Sequence, residues 1–141
     1  MKIDRIALVG CGKDKQEEPA EAGELYTSGF FGLKADWATE HTDSWWVLSA
    51  EHALLHHTVR THPYDTTVSD PDFDQNAWRD RVGSDLNHVI QMADPNEIVL
   101  LAGGSYLDPI RDVLDAVPPE ITTPLSGMGI GEQQAWLSDR V

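Results

Sequence analysis

The only cysteine of the chain, Cys11, stands between Gly10 and Gly12 and is followed by Lys13 and Lys15. A thiol becomes a nucleophile as its thiolate, and ammonium groups or backbone amides nearby favour that form. The same residue can equally serve as a small apolar side chain at a strand end, where free cysteines often sit. Lys13 and Lys15 would bind phosphate or carboxylate, or hold a thiolate; the ordinary fate of a lysine is a solvated surface. His52 is of the type that transfers protons near neutral pH. Tyr64 and Asp65 follow Pro63. They would stack on a planar ring and hydrogen-bond its edge, or form an Asp turn beside a half-buried tyrosine. Gly103, Gly104, Gly127, Gly129 and Gly131 would offer amides to a phosphate or oxyanion, or make tight strand-to-helix turns. Neither a Gly-x-Gly-x-x-Gly nor a Walker spacing is present. His52, His56, His57 and His62 crowd one stretch, but no paired Cys or His signature with zinc spacing accompanies them, so no metal and no cofactor is expected.

These groups need a frame. Ile3 to Val9 is apolar and β-branched, a buried strand that Gly10 ends. Lys13 to Gly23 is polar and reads as a loop. Ser28 to His41 is an amphipathic helix, with Thr27 or Ser28 able to cap it. Ser44 to Ala50 is a second buried strand. Glu51 to Asp70 has no clean period and reads as a long loop, a kind of segment that often carries function. Asp70 and Pro71 open a helix through Trp78, Val82, Leu86, Val89, Ile90 and Ala93. Glu97 to Ala102 is a third strand, followed by a helix through Tyr106, Ile110, Val113 and Leu114. Ile121 to Leu125 is a fourth strand, and Glu132 to Arg140 a last helix. Most of the five tryptophans fall on core faces. Alternating strands and helices predict a parallel sheet with helices on both faces. Ligands of such sheets bind beyond the carboxyl ends of the strands. That rule gathers Cys11 to Gly23, Glu51 to Asp70, Gly103 to Tyr106 and Ser126 to Gly131 at one rim.

The length, 141 residues, suits one domain spanning 1–141. The formal net charge is −14 and the isoelectric point about 4.5. Only Lys2, Lys13, Lys15 and Lys34 are lysines, and acidic residues are scattered from Asp4 to Asp139. That scatter fits a solvating surface for a salt-rich cytoplasm better than one acidic binding face. High salt would also screen repulsion from a nucleic acid, so the charge argues only weakly against such a ligand. One cysteine cannot form an internal disulfide, as expected in a reducing compartment. The longest apolar run is far short of a membrane span and no signal peptide precedes Ile6 to Val9, so a cytoplasmic protein without membrane partners is expected.

The stretches "LVGCGKDK", "LYTSGFF", "WWVLSAEHALL", "PYDTTV", "LLAGGSY" and "PLSGMGIGEQQAWL", in that order and spacing, resemble the domain-of-unknown-function family DUF6884. Its members are often labelled peroxide-stress, YaaA-like proteins. More distantly, the layout is similar to the uracil-glycosylase-like domain of archaeosine synthase. That domain carries Pro-Cys-x-x-x-Lys-Pro-Tyr after its first strand. Cys11 and Lys15 keep the spacing, while Gly10 replaces the first proline and Gln16-Glu17 the Pro-Tyr. Where the nearer family has Lys-His-Gly-Leu, this chain has Glu51-His52-Ala53-Leu54, which keeps the histidine. The resemblance implies a three-layer α/β/α sandwich with a central, mostly parallel four-stranded sheet, and a site for a planar base. It implies Cys11, Lys15 and His52 as the catalytic group. Lys13, Tyr26, Ser28, Ser49, Tyr64, Asp65, Gly103, Gly104, Tyr106, Gly127 and Gly129 would bind the substrate. The expected partner is a nucleobase, nucleotide or nucleic acid. Two other readings use the same residues: a non-catalytic nucleotide or nucleic-acid binding module, and a stress protein whose Cys11 is reversibly oxidised.

Overall fold

The computed structural model describes residues 3–12 and 14–140. Five strands form the main sheet: β1 (Arg5–Gly10), β3 (Ser44–Ser49), β4 (Ala53–His56), β6 (Glu97–Leu101) and β7 (Glu120–Thr122). Their order is β4-β3-β1-β6-β7. All neighbours are parallel except β4, which runs antiparallel to β3. A separate two-stranded ribbon pairs β2 (Ala20–Glu21) with β5 (Arg60–Thr61). The helices are α1 (Ala22–Leu25), α2 (Gly29–His41), α3 (Gln75–Ala93), α4 (Gly104–Leu107), α5 (Arg111–Ala116) and α6 (Ile130–Ser138). Among the described residues, no helix is long and apolar enough to cross a membrane.

The central strand β1 is buried on both sides, which explains its unbroken apolar run. Ile6 and Leu8 join Leu48, Ile98 and Leu100 under α3 and the α4–α5 segment. Ala7 and Val9 join Val47, Val99 and Leu101 under α2 and α6. Helices therefore pack on both faces of the sheet. Trp37, Trp45 and Trp78 are buried, and the indole N–H of Trp78 donates to the carbonyl of Ser49 at 2.9 Å. That bond ties α3 to the end of β3. Helix α2 starts where Ser28 Oγ accepts from Phe31 N at 3.1 Å, an N-cap.

The structure corrects several expectations. The sheet has five strands, not four, because the supposed loop 51–70 turns back as a hairpin. Ala53 takes a φ of 60°, and Leu54 is buried under α3. A four-residue edge strand buried on one side leaves too short a pattern to read. The stretch 13–23 likewise contains β2 and the start of α1. Helix α3 begins at Gln75 with Asp74 as its cap, the carboxylate accepting from Ala77 N at 3.0 Å. Asp70 instead closes a turn, accepting from Thr67 N at 3.0 Å and Thr67 Oγ1 at 2.8 Å. The expected single helix after β6 is split into α4, a 3₁₀ turn (Asp108–Ile110) and α5. Pro109 has no N–H to continue the ladder. Strand β7 stops at Thr122, and α6 begins at Ile130.

Candidate functional site

Gly10 ends β1 close against Ala102, the residue after β6. A Cβ on Gly10 would stand 2.9 Å from the Cβ of Ala102, so strand packing demands this glycine. Cys11 remains tied to the sheet, its N–H donating to the carbonyl of Leu48 at 3.1 Å. The thiol is half-buried and lies 2.9 Å from the hydroxyl of Tyr106. Cys11, Gly12 and Tyr106 line a cleft of about 540 Å³, with Asp65, Thr67 and Ser105 on its other walls. A second cleft, of about 450 Å³, is lined by Lys15 and Tyr64. Asp65 and Thr67 belong to both, so the two clefts adjoin.

Behind Cys11 lies a knot of hydroxyls. Tyr64 OH bonds to Tyr26 OH and, at 2.6 Å, to Ser49 Oγ. Ser49 is fully buried, and its Oγ also accepts from His52 N at 3.1 Å. Lys15 Nζ stands 4.4 Å from the centre of the Tyr64 ring, and Lys15 and Tyr26 form an isolated backbone bridge. One face of Tyr64 is thus taken by a cation. The His52 ring meets Tyr64 edge-on at 5.3 Å, and its Nε2 lies 3.3 Å from Thr61 Oγ1. His52 therefore touches the site through Tyr64.

Burial, and next the negative charge that Cys11 carries when ionised, push the Tyr26, Tyr64 and Tyr106 hydroxyls well above the usual tyrosine range. They stay neutral at physiological pH, and a neutral hydroxyl can donate to a thiolate. Burial lowers His52 from its ordinary value, with Glu51 opposing. The most perturbed cation is Lys34. Only 7% of it is exposed. Its Nζ donates to the carbonyl of Gly10 at 3.0 Å, directly before the cysteine, and lies 4.7 Å from the Phe30 ring centre. Burial brings its pKa down to about 8, against the opposing pull of the Cys11 charge.

The structure therefore brings together Cys11, Tyr106, Asp65, Tyr64, Tyr26, Ser49, Lys15 and His52. It places the other expected residues elsewhere. Ser28 caps α2. Gly103, Gly104 and Gly127 line a separate cleft of about 240 Å³, where Gly127 takes a φ of +80° that suits glycine. Gly129 is the N-cap residue of α6, and its N–H faces Glu132 Oε1 at 3.4 Å. Lys13 lies outside the described residues. His57 stacks on Trp45 at 4.6 Å, and His56 packs edge-on to Trp46 at 5.0 Å. Among the described residues, no group of three or more potential ligands is placed to hold a metal ion. Sequence reasoning missed Lys34, Thr67 and Ser105. Lys34 had one visible signal: it is the lone charge in Gly29–Ala35, within an otherwise apolar face of Phe31, Trp37 and Ala38.

The family model described as "Family of unknown function (DUF6884)" matches residues 6–139. The chain belongs to this family. No curated protein matches it. Among solved structures, this DUF6884 member is similar to the one titled "Crystal structure of AF0587, a protein of unknown function", with a TM-score of 0.60 and 12% identity. The likeness covers 99% of this chain and 45% of that one. At that identity it shows a shared fold. This DUF6884 chain thus spans just under half the length of that protein.

Proposed function

We propose that this DUF6884 domain acts on a nucleobase, free or within a nucleotide or modified nucleic acid, with Cys11 as nucleophile. Its frame is then a three-layer α/β/α sandwich of the uracil-glycosylase-like kind. The observation that carries this reading is the 2.9 Å pairing of Cys11 Sγ with the Tyr106 hydroxyl in the wall of a cleft of about 540 Å³. That volume falls in the range of small-molecule sites. Asp65 offers an acceptor, and Thr67 a hydroxyl, to the edge of a planar ring. In the proposed step the sulfur bonds to an electrophilic ring carbon. The π electron pair of that carbon moves onto a ring heteroatom. The thiol proton passes to the Tyr106 oxygen, and the proton of Tyr106 goes to the heteroatom, so no outside reactant is needed. Lys15 supplies positive charge at the adjoining cleft, and His52 orients Tyr64. The acidic composition and single thiol fit a reducing, salt-rich cytoplasm.

A non-catalytic binding module is the second reading. It is favoured by the Lys15–Tyr64–His52 arrangement, which needs no thiol to hold a ligand. Two measurements separate the readings. The first is the pH dependence of Cys11 alkylation, comparing the parent with Tyr106→Phe. Loss of the Tyr106 hydroxyl should slow alkylation at pH 7. The second is turnover of a panel of modified bases and nucleosides, followed by mass spectrometry. Cys11→Ser should abolish it with the fold intact. Slow, pH-independent labelling, or full activity in Cys11→Ser, removes the nucleophile and leaves the binding module.

A further inference from the structure

The cleft of about 240 Å³ beyond β6 and β7 differs from the other two in charge. Its polar walls are Gly103, Gly104, Arg111, Thr123, Ser126 and Gln133. Among the described residues no carboxylate lines it, although the chain carries 24 acidic residues against 10 basic ones. The Cys11 cleft is lined by Asp65 and Asp70, and the Lys15 cleft by Asp14, Glu17 and Asp65. Among the described residues Arg111 is the only charged wall of the third cleft. Its Nε donates to Asp108 Oδ1 at 3.0 Å. A guanidinium held by Nε can still present its terminal N–H groups to a tetrahedral oxyanion. Thr123 and Ser126 add hydroxyl donors to the lining.

The position matters as much as the charge. Val9 of β1 pairs with Leu101 of β6. Cys11 and Gly103 each stand two residues beyond that pair, just past the ends of neighbouring strands. The segment that begins with Gly103 and Gly104 on this cleft continues through Ser105 and Tyr106 on the Cys11 cleft. The two clefts are thus lined by consecutive residues of one segment.

We infer that the Arg111 cleft binds the phosphoryl group of the same ligand, so that the substrate is a nucleotide or nucleic-acid unit and not a free base. The inference rests on the nucleobase reading for the ring; the phosphoryl site stands on its own lining. Asp108 is the built-in competitor for Arg111. Its removal should strengthen phosphate binding, while loss of Arg111 should weaken it.

The test follows backbone amide shifts of Gly103, Gly104 and Ser126 in the full chain, by NMR at constant ionic strength, on titration with inorganic phosphate. The expected result is saturable shifts that weaken roughly 10- to 100-fold in Arg111→Gln, the loss of a charge-assisted hydrogen bond, and tighten in Asp108→Asn. Arg111 and Asp108 are both largely exposed, so neither variant should disturb folding, and a thermal melt checks that. Unmoved amides, or equal affinity in Arg111→Gln, overturn the site. Common nucleosides and their 5′-monophosphates form the second arm. Nucleosides that bind as tightly as their monophosphates overturn the inference and leave the base reading standing. Phosphate shifts without any nucleoside binding keep the phosphoryl site and remove the base reading. A dinucleoside monophosphate then assigns the source: a preference for it over the monoester points to a polymer, and the reverse preference points to free nucleotides.

Discussion

Replacing Lys34 by methionine should change how stability depends on pH, and the size of the change follows from burial. Lys34 is 7% exposed and its pKa falls from 10.5 to about 8. Keeping it protonated in the folded state at pH 7 therefore costs about 3 kcal/mol relative to the unfolded chain. Between pH 8 and 10.5 the unfolded chain holds a proton that the folded chain has released. Unfolding free energy must rise with pH in that window, by up to about 1.4 kcal/mol per pH unit. In Lys34→Met this contribution vanishes. The variant also loses the bond to the Gly10 carbonyl, a pH-independent cost of about 1–3 kcal/mol. The buried tyrosines work the other way above pH 10, but they are common to both proteins and largely cancel in the difference. Urea melts at pH 7, 8, 9 and 10, followed by tryptophan fluorescence, measure the gap. The parent should gain about 2–3 kcal/mol on the variant from pH 7 to pH 10. A gap that stays constant across that range refutes a buried, charged Lys34.

Three further perturbations test the site and its frame. Ser49→Ala removes a fully buried oxygen that serves both Tyr64 and His52 N; it should cost about 1–3 kcal/mol in a denaturant melt, and no loss would mean that water replaces the hydroxyl. Gly10→Ala forces a methyl to within 2.9 Å of Ala102 Cβ and should destabilise by about 1–3 kcal/mol; an unchanged melting temperature would deny the close approach of β1 and β6. Burial lowers His52, His56 and His57 below 6.5. The unfolded chain then binds more protons as pH falls through 6.5, so stability should decline with acidification, and His57→Gln should flatten the decline in melts at pH 7, 6 and 5.

The rim of the sheet was legible because it follows from topology. Once strands end at Gly10, Ser49 and Leu101, the residues after them share one edge. The fifth strand was hidden because Ala53–His56 is an edge strand whose His56, and His57 just after it, pack on Trp46 and Trp45, contacts that a polar-looking segment does not announce. The break at Pro109 was hidden by the apolar spacing of Ile110, Val113 and Leu114, since those residues do face the core across it. Ser28 shows the opposite limit. A serine that opens a helix and one that binds a ligand look alike in sequence, and only the bond to Phe31 N assigns its oxygen. Lys34 was the largest omission, because an amphipathic helix tolerates a lysine at its margin and sequence spacing does not show that this one is covered.

Lys34 and Tyr106 reach the cysteine through different groups, and the proposed nucleophile draws on both. A structural cysteine at a strand end would be served best by apolar neighbours. Here the carbonyl before it holds a buried ammonium, and the sulfur itself meets a tyrosine hydroxyl. Both are polar groups placed beside a thiol, in a chain whose net charge is −14. Lys34 is also more costly as a charge than as an apolar side chain, so stability alone would not keep it there. The influence must run in both directions. If Cys11 raises the pKa of Lys34, then Cys11→Ala should lower it further below about 8. NMR titration of the lysine side chain reads that shift directly. An unmoved Lys34 in Cys11→Ala would mean that sulfur and ammonium do not sense each other, and the electrostatic case for an activated thiol would rest on Tyr106 alone.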